Sequence, residues 1–153
     1  MVMSSCSGRK DWLMVVLDQR LLESCRRYVD DMPPRFNYMT SPELAKALES
    51  HPDAYFVLDN RTPEAYAAGH IPGAVNMWFK DVLSDSNLAL LPRDKTIVIV
   101  CWVGHTASQL VALLGLLGFT VAGLQYGMGE SPVPDSPRAG WRDLGLPLEK
   151  KIG

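Results

Sequence analysis

Cysteine is scarce here: the 153 residues hold Cys6, Cys25 and Cys101 and no others. An odd, sparse set without C-x-x-C spacing argues against a disulfide framework and a zinc site, and points to a reducing, cytoplasmic compartment. No metal or other cofactor is expected. Charge surplus is missing as well, with 15 Lys+Arg against 17 Asp+Glu and a formal net charge of −2. That balance lacks the basic footprint of a nucleic-acid partner. Long apolar runs are absent. Leu110 to Phe119 is the longest near-apolar stretch, far short of the roughly 20 residues that span a bilayer. Trp12 to Leu17 is closed by Asp18 and Arg20, too short for the about 7–15 residues of a secretory core. We read it as part of a helix and expect no membrane partner. No internal repeat or low-complexity segment is visible.

What the chain does have is a rhythm of short apolar strands and helices within a length that fits one domain. Residues 1–10 read as disordered. Apolar positions at Leu13, Val16, Leu17, Leu21, Leu22, Cys25 and Val29 recur at spacings of three and four, an amphipathic helix over 11–31 that Pro33-Pro34 stops. Asn37–Met39 reads as a short strand. Thr40 or Ser41 caps a helix with Pro42 in its first turn, running to about Ser50. Tyr55–Leu58 is a strand ending at Asp59, and Thr62-Pro63-Glu64 opens a helical turn stopped by Gly69. Val75–Met77 reads as a strand, and 80–91 as helical in part. Strand 96–100 follows, then helix 107–117 with Gly118 as its C-cap, and Val121–Tyr126 as the last strand. Glu130 to Arg138 holds three prolines and reads as a surface loop. Strands apolar on both sides and alternating with helices predict an α/β fold, a central parallel sheet with helices on both faces. Ligand sites in such sheets form at the carboxyl ends of strands. Asp59 and Cys101 both lie there.

Cys101 closes the run Thr96-Ile97-Val98-Ile99-Val100 and stands before a loop holding Gly104 and the start of a helix. At that junction backbone N–H groups converge, which favours a thiolate and makes Cys101 the candidate nucleophile. Gly104 lets the loop curl into an anion nest, to which His105 and Thr106 add hydrogen bonds. A phosphatase on a similar loop needs C-x5-R, because the arginine fork holds phosphate. The residue six after Cys101 is Ala107, so that clamp is missing. Trp102 either walls the pocket or packs. Asp59 is expected to anchor turns, Arg61 to pair with Glu64 or line the pocket rim, and His70 to make a structural hydrogen bond. Cys6 reads as a bystander and Cys25 as a helix core residue. Trp12, Trp78 and Trp141 read as core residues or surface anchors.

Four segments together resemble one family. Leu58 to Tyr66, with Asp59 and Arg61, resembles the aspartate–arginine stretch of rhodanese-like domains. His70-Ile71-Pro72-Gly73-Ala74 resembles the signature that follows it. Cys101-Trp102-Val103-Gly104-His105-Thr106-Ala107 resembles the family's active-site loop. Gly118-Phe119 through Tyr126-Gly127, and Gly145-Leu146-Pro147-Leu148-Glu149, resemble its C-terminal features. The resemblance covers residues 37–150 and leaves 1–36 as an N-terminal, mostly helical extension. It implies a rhodanese-like fold and a thiosulfate-type sulfurtransferase in which Cys101 becomes a persulfide. The sulfur then passes to a thiophilic acceptor, cyanide or a thiol, protein thiols included. Trp102, Val103, Gly104, His105, Thr106 and Ala107 occupy the loop that binds the small anionic donor, with Arg61 as a further substrate-binding candidate. Many members carry arginine where this chain has Thr106. The alternative is a non-catalytic protein-interaction module of the same fold, docking through the N-terminal helix. The chain is expected to be a monomer or a homodimer.

Overall fold

Thr96-Ile97-Val98-Ile99-Val100 consists entirely of β-branched residues, which fit a pleated, buried surface better than a helix. In the computed structural model, which describes residues 18–129 and 139–150, this segment is the central strand. The elements in chain order are α1 (Gln19–Asp30), β1 (Tyr38–Met39), α2 (Ser41–Ser50), β2 (Tyr55–Asp59), α3 (Pro63–Ala67), β3 (Val75–Asn76), α4 (Asp85–Leu88), β4 (Thr96–Val100), α5 (His105–Leu116) and β5 (Val121–Leu124). One 3-10 turn, Pro52–Ala54, leads into β2. All strand pairs are parallel, in the order β1-β5-β4-β2-β3. The expected α/β architecture with a central parallel sheet is what the chain forms.

Period-two alternation divides β4 between two cores. Ile97, Ile99 and Cys101 join Leu58, Leu110, Val111, Leu114 and Phe119 on the α5 side. Val98 and Val100 join Leu44, Val57, Ile71, Leu124 and Trp141 on the other. Cys101 therefore faces the underside of α5. Among the described residues no helix is long and apolar enough to cross a membrane.

Several boundaries differ from expectation, each for a local reason. The helix expected over 107–117 begins two residues earlier, at His105, because Gly104 turns the chain in the left-handed region (φ 102°) and serves as its N-cap. Leu117 is its C-cap rather than Gly118. Gly118, at φ 81°, lets Phe119 N–H return to the Leu114 carbonyl at 3.0 Å. The last strand ends at Leu124, since Tyr126 and Gly127 both take positive φ in the turn that follows. β1 lacks Asn37, which sits at φ 57°. β3 stops at Asn76, and only Asp85–Leu88 of 80–91 is α-helical.

The predicted helix of 11–31 is described from Asp18, its N-cap, whose carboxylate accepts from the N–H groups of Arg20 and Leu21. Residues 1–17, and the loop expected over 130–138, lie outside the described residues. α1 packs on α5, and Gly115 makes the approach possible: a Cβ there would lie 2.5 Å from the Tyr28 ring. Cys25, expected in the helix core, is half-buried, and α1 buries no residue fully.

Thr40 caps α2 in a complete capping box. The Glu43 N–H donates to Thr40 Oγ1, and the Thr40 N–H donates back to Glu43 at 2.8 Å. Arg35 forks onto the same carboxylate at 2.6 and 2.9 Å. The arginine hydrogen bond first, then those from Thr40, hold the Glu43 carboxyl down at about 2. Its native value is depressed, so the contribution is present above the ordinary value of 4.5 and lost as pH falls toward about 2. Both side chains face water, which keeps the ion pair's share small. Thr40→Ala should cost about 1 kcal/mol in urea unfolding at neutral pH. The difference between wild type and Glu43→Gln should shrink as pH is lowered through that window.

Candidate active site

The site begins where β4 runs out. Cys101 is 4% exposed, and its Sγ accepts the Gly104 N–H at 3.0 Å. That contact requires the loop to double back within three residues, which the φ of 102° at Gly104 permits. No side chain caps α5, so the N–H groups of its first turn have no side-chain acceptor. His105 is exposed at its first position, Thr106 is half-buried and Ala107 is sealed in the core. Trp102 and Val103 are half-buried on the loop. Within 101–107 the Gly104 N–H reaches the sulfur, and His105 and Thr106 lie on the helix rather than in the loop before it.

Two further contacts brace the loop from behind. Met128 N–H donates to the Cys101 carbonyl at 2.8 Å and Gly129 N–H to the Trp102 carbonyl at 2.9 Å. The turn after β5 can come this close because residue 127 is glycine. A Cβ there would lie 2.3 Å from the Cys101 carbonyl oxygen, and φ is 52°. On the α5 side, Ser108 Oγ donates to the Gly104 carbonyl at 2.6 Å and the Tyr38 hydroxyl lies 2.6 Å from Ser108 Oγ. Sequence reading missed Tyr38, Ser108 and Gly127 as supports. The glycines at 127 and 129, just past a strand, were the one available signal.

Asp59 and Arg61 form a buried ion pair. Arg61 Nη2 lies 2.6 Å from Asp59 Oδ2, both side chains are 1% exposed, and Nε donates to Asp59 Oδ1 at 3.0 Å. Arg61 thus pairs with Asp59 and not with Glu64. Asp59 also anchors the turn, accepting the Arg61 N–H at 3.0 Å. The Arg61 guanidinium lies 4.8 Å from the centre of the Trp102 ring, and that of Arg142 lies 5.7 Å from it. Both arginines donate to the Gly69 carbonyl, at 2.8 and 2.9 Å. Trp102 is therefore held from behind by two cations and packs against the core opposite Cys101.

His70 makes the structural contacts expected of it. Its Nδ1 lies 2.9 Å from the Tyr66 carbonyl, its ring stacks on Tyr66 at 3.7 Å, and its Nε2 is 3.7 Å from Glu149. Burial, with the charges of Asp59 and Glu149, pushes the Tyr66 phenol above its ordinary range, so it stays a neutral donor to the Ala74 carbonyl. Trp141 is a core residue with its indole N–H on the Pro147 carbonyl, whereas Trp78 lies at the surface.

One residue at the site carried no expectation at all. Asn60 is 2% exposed, and its Oδ1 accepts from Thr106 Oγ1 at 3.3 Å. It follows β2 as Cys101 follows β4, and its own N–H continues the ladder to the Val100 carbonyl at 2.9 Å.

A family model for the rhodanese-like domain matches residues 40–130. The chain is 36% identical over 83 residues to the thiosulfate sulfurtransferase GlpE of Pseudomonas entomophila, covering 52% of this chain and 70% of that one. It is 31% identical over 140 residues to the HTH-type transcriptional regulator Rv0324 of Mycobacterium tuberculosis, covering 90% of this chain but 56% of the regulator. Among solved structures, the rhodanese-like domain of an Anabaena protein superposes with a TM-score of 0.61 at 30% identity, covering 74% of this chain and 79% of that one.

Gly127→Ala should destabilise the domain by about 1–3 kcal/mol from its backbone conformation alone. It should also displace Cys101, which slower alkylation of that thiol would report. Asp59→Ala should cost about 3–5 kcal/mol in chemical denaturation, because it leaves the Arg61 guanidinium buried without its partner.

Proposed function

The chain belongs to the rhodanese-like family, and on that premise we propose that it is a sulfurtransferase that carries sulfane sulfur on Cys101. The observation that supports this most directly is the Gly104 N–H on Cys101 Sγ beside the uncapped start of α5. Those donors suit an anionic sulfur. In the first half-reaction the Cys101 thiolate attacks the outer sulfur of thiosulfate. The new S–S bond forms as the old one breaks, and its electron pair leaves with sulfite. The product is Cys101–S–S⁻, one sulfur longer and of the same charge, whose terminal sulfur lies among the loop amides. In the second half-reaction an acceptor, cyanide or a thiolate, attacks that outer sulfur and the Cys101 thiolate departs. No cofactor enters either step.

Trp102, Val103, Gly104, His105, Thr106 and Ala107 form the binding loop in this reading. Gly104 and the first turn of α5 supply N–H donors, and the Thr106 hydroxyl, donating to Asn60 Oδ1, ties that helix start to the end of β2. Arg61 acts from beneath, holding Trp102 at the rim. Asp59 keeps Arg61 in place. The physiological partners are a small anionic sulfur donor and a thiol or cyanide acceptor.

A second reading, a protein-interaction module without catalysis, draws on the match to a transcriptional regulator over 90% of the chain. Mass spectrometry separates the two. After incubation with thiosulfate, wild type should gain one sulfur atom on Cys101, and added cyanide should remove it as thiocyanate. Cys101→Ser should gain none while unfolding at the wild-type temperature. Absence of the adduct with every sulfur donor tried would favour the interaction module.

A further inference from the structure

The pairing of β2 with β4 aligns Leu58 with Ile99 and Asp59 with Val100. In a parallel ladder, aligned residues point to the same face. Leu58 and Ile99 do so, both entering the core under α5. Two residues on, the same register sets Asn60 beside Cys101, one strand spacing of about 4.8 Å away, on the same face. Thr106, in the first turn of α5, confirms the placement through its hydroxyl on Asn60 Oδ1 at 3.3 Å. The carboxamide thus lies under the helix start that overhangs the sulfur.

With Oδ1 engaged, the end of the amide that remains is a pure donor. Asn60 Nδ2 has no hydrogen-bond partner among the described residues, although the residue is 2% exposed. A buried N–H2 left unpaired is costly, and native structures retain such groups where something else satisfies them. The neighbouring donors are alike in kind: the Gly104 N–H and the uncapped N–H groups of α5. The loop from Cys101 to Ala107 holds no lysine or arginine. The donors that the loop itself offers a ligand are therefore backbone N–H groups, and a ligand that engages them must present several acceptors at once.

We propose that Asn60 is a specificity-determining residue of this site, its carboxamide N–H binding an oxygen of an oxyanionic sulfur donor, a sulfonate-type group seated at the start of α5. The inference rests on the sulfurtransferase reading for the donor's chemistry. As the outer sulfur is transferred to Cys101, the S–S bond breaks and its electron pair remains on the departing sulfite. Asn60 then binds the oxyanion as donor and as leaving group. A donor without oxygen, such as inorganic polysulfide, gives the amide nothing comparable to hold.

The test compares thiosulfate with inorganic polysulfide, cyanide being the acceptor, in the full chain. In Asn60→Ala the ratio of kcat/KM for thiosulfate to that for polysulfide should fall about tenfold or more, the size of a hydrogen bond to a charged group. If Asn60 merely braces Thr106, both donors lose equally and the ratio holds, which overturns the proposal. A second measurement needs no variant to fold. In ¹⁵N-labelled wild type, the Asn60 side-chain N–H2 signals should shift saturably with sulfite and not with chloride at equal ionic strength. Signals unmoved by sulfite overturn the proposal. If neither donor places sulfur on Cys101, the sulfurtransferase reading fails, and the sulfite titration still decides whether Asn60 binds the oxyanion.

Discussion

The register between β2 and β4 is the constraint from which the rest of the site follows. Five aligned pairs, from Tyr55 with Thr96 to Asp59 with Val100, bring two strand ends to the same level in the middle of the sheet. A slip of one residue would turn every side chain of one strand to the opposite face. Cys101 would then leave the underside of α5, and Asp59, Asn60 and Arg61 would part from it. The slip is forbidden by the cores. Leu58, Ile97 and Ile99 are fully buried on one side, and Val98 and Val100 on the other. Exposing that many apolar side chains costs far more than any single site contact returns.

Three chain segments distant in sequence converge on those strand ends, and each does a different physical task. The turn after β5 presses glycine against the loop and donates N–H groups to the Cys101 and Trp102 carbonyls. The segment after β2 places one buried ion pair and one buried amide there. The closing segment, 139–150, brings Arg142 to the Gly69 carbonyl and Glu149 to His70, whose backbones also exchange two hydrogen bonds. The Cys101 and Trp102 carbonyls are paired with the turn after β5, and no side chain caps the helix that follows the loop. A site assembled from neutral donors selects by the geometry and number of acceptors rather than by charge alone.

Much of this was legible in the residues themselves. The β-branched run 96–100, the cap at Thr40 and the turn glycines act within a few residues, so their signals are local and survive without tertiary context. The cysteine after such a strand and before a helix start is a local signal too, and the aspartate–arginine, His70–Ala74 and Cys101–Ala107 segments identified the family. Boundaries at Asn37, Asn76 and Leu124 were less legible, because a strand ends where its neighbour ends and not where its own propensity does.

The sequence by itself therefore determined the parallel α/β sheet, the position of Cys101 at a strand end, and the absence of a phosphate clamp at Ala107. Those follow from chain-local patterns. Tertiary structure alone decided that Arg61 pairs with Asp59, that Trp102 rests on two guanidiniums, that Gly127 supports the loop and that Asn60 is buried against Thr106. Each of these joins residues brought together by register and close packing, and no spacing along the chain encodes which strand end meets which.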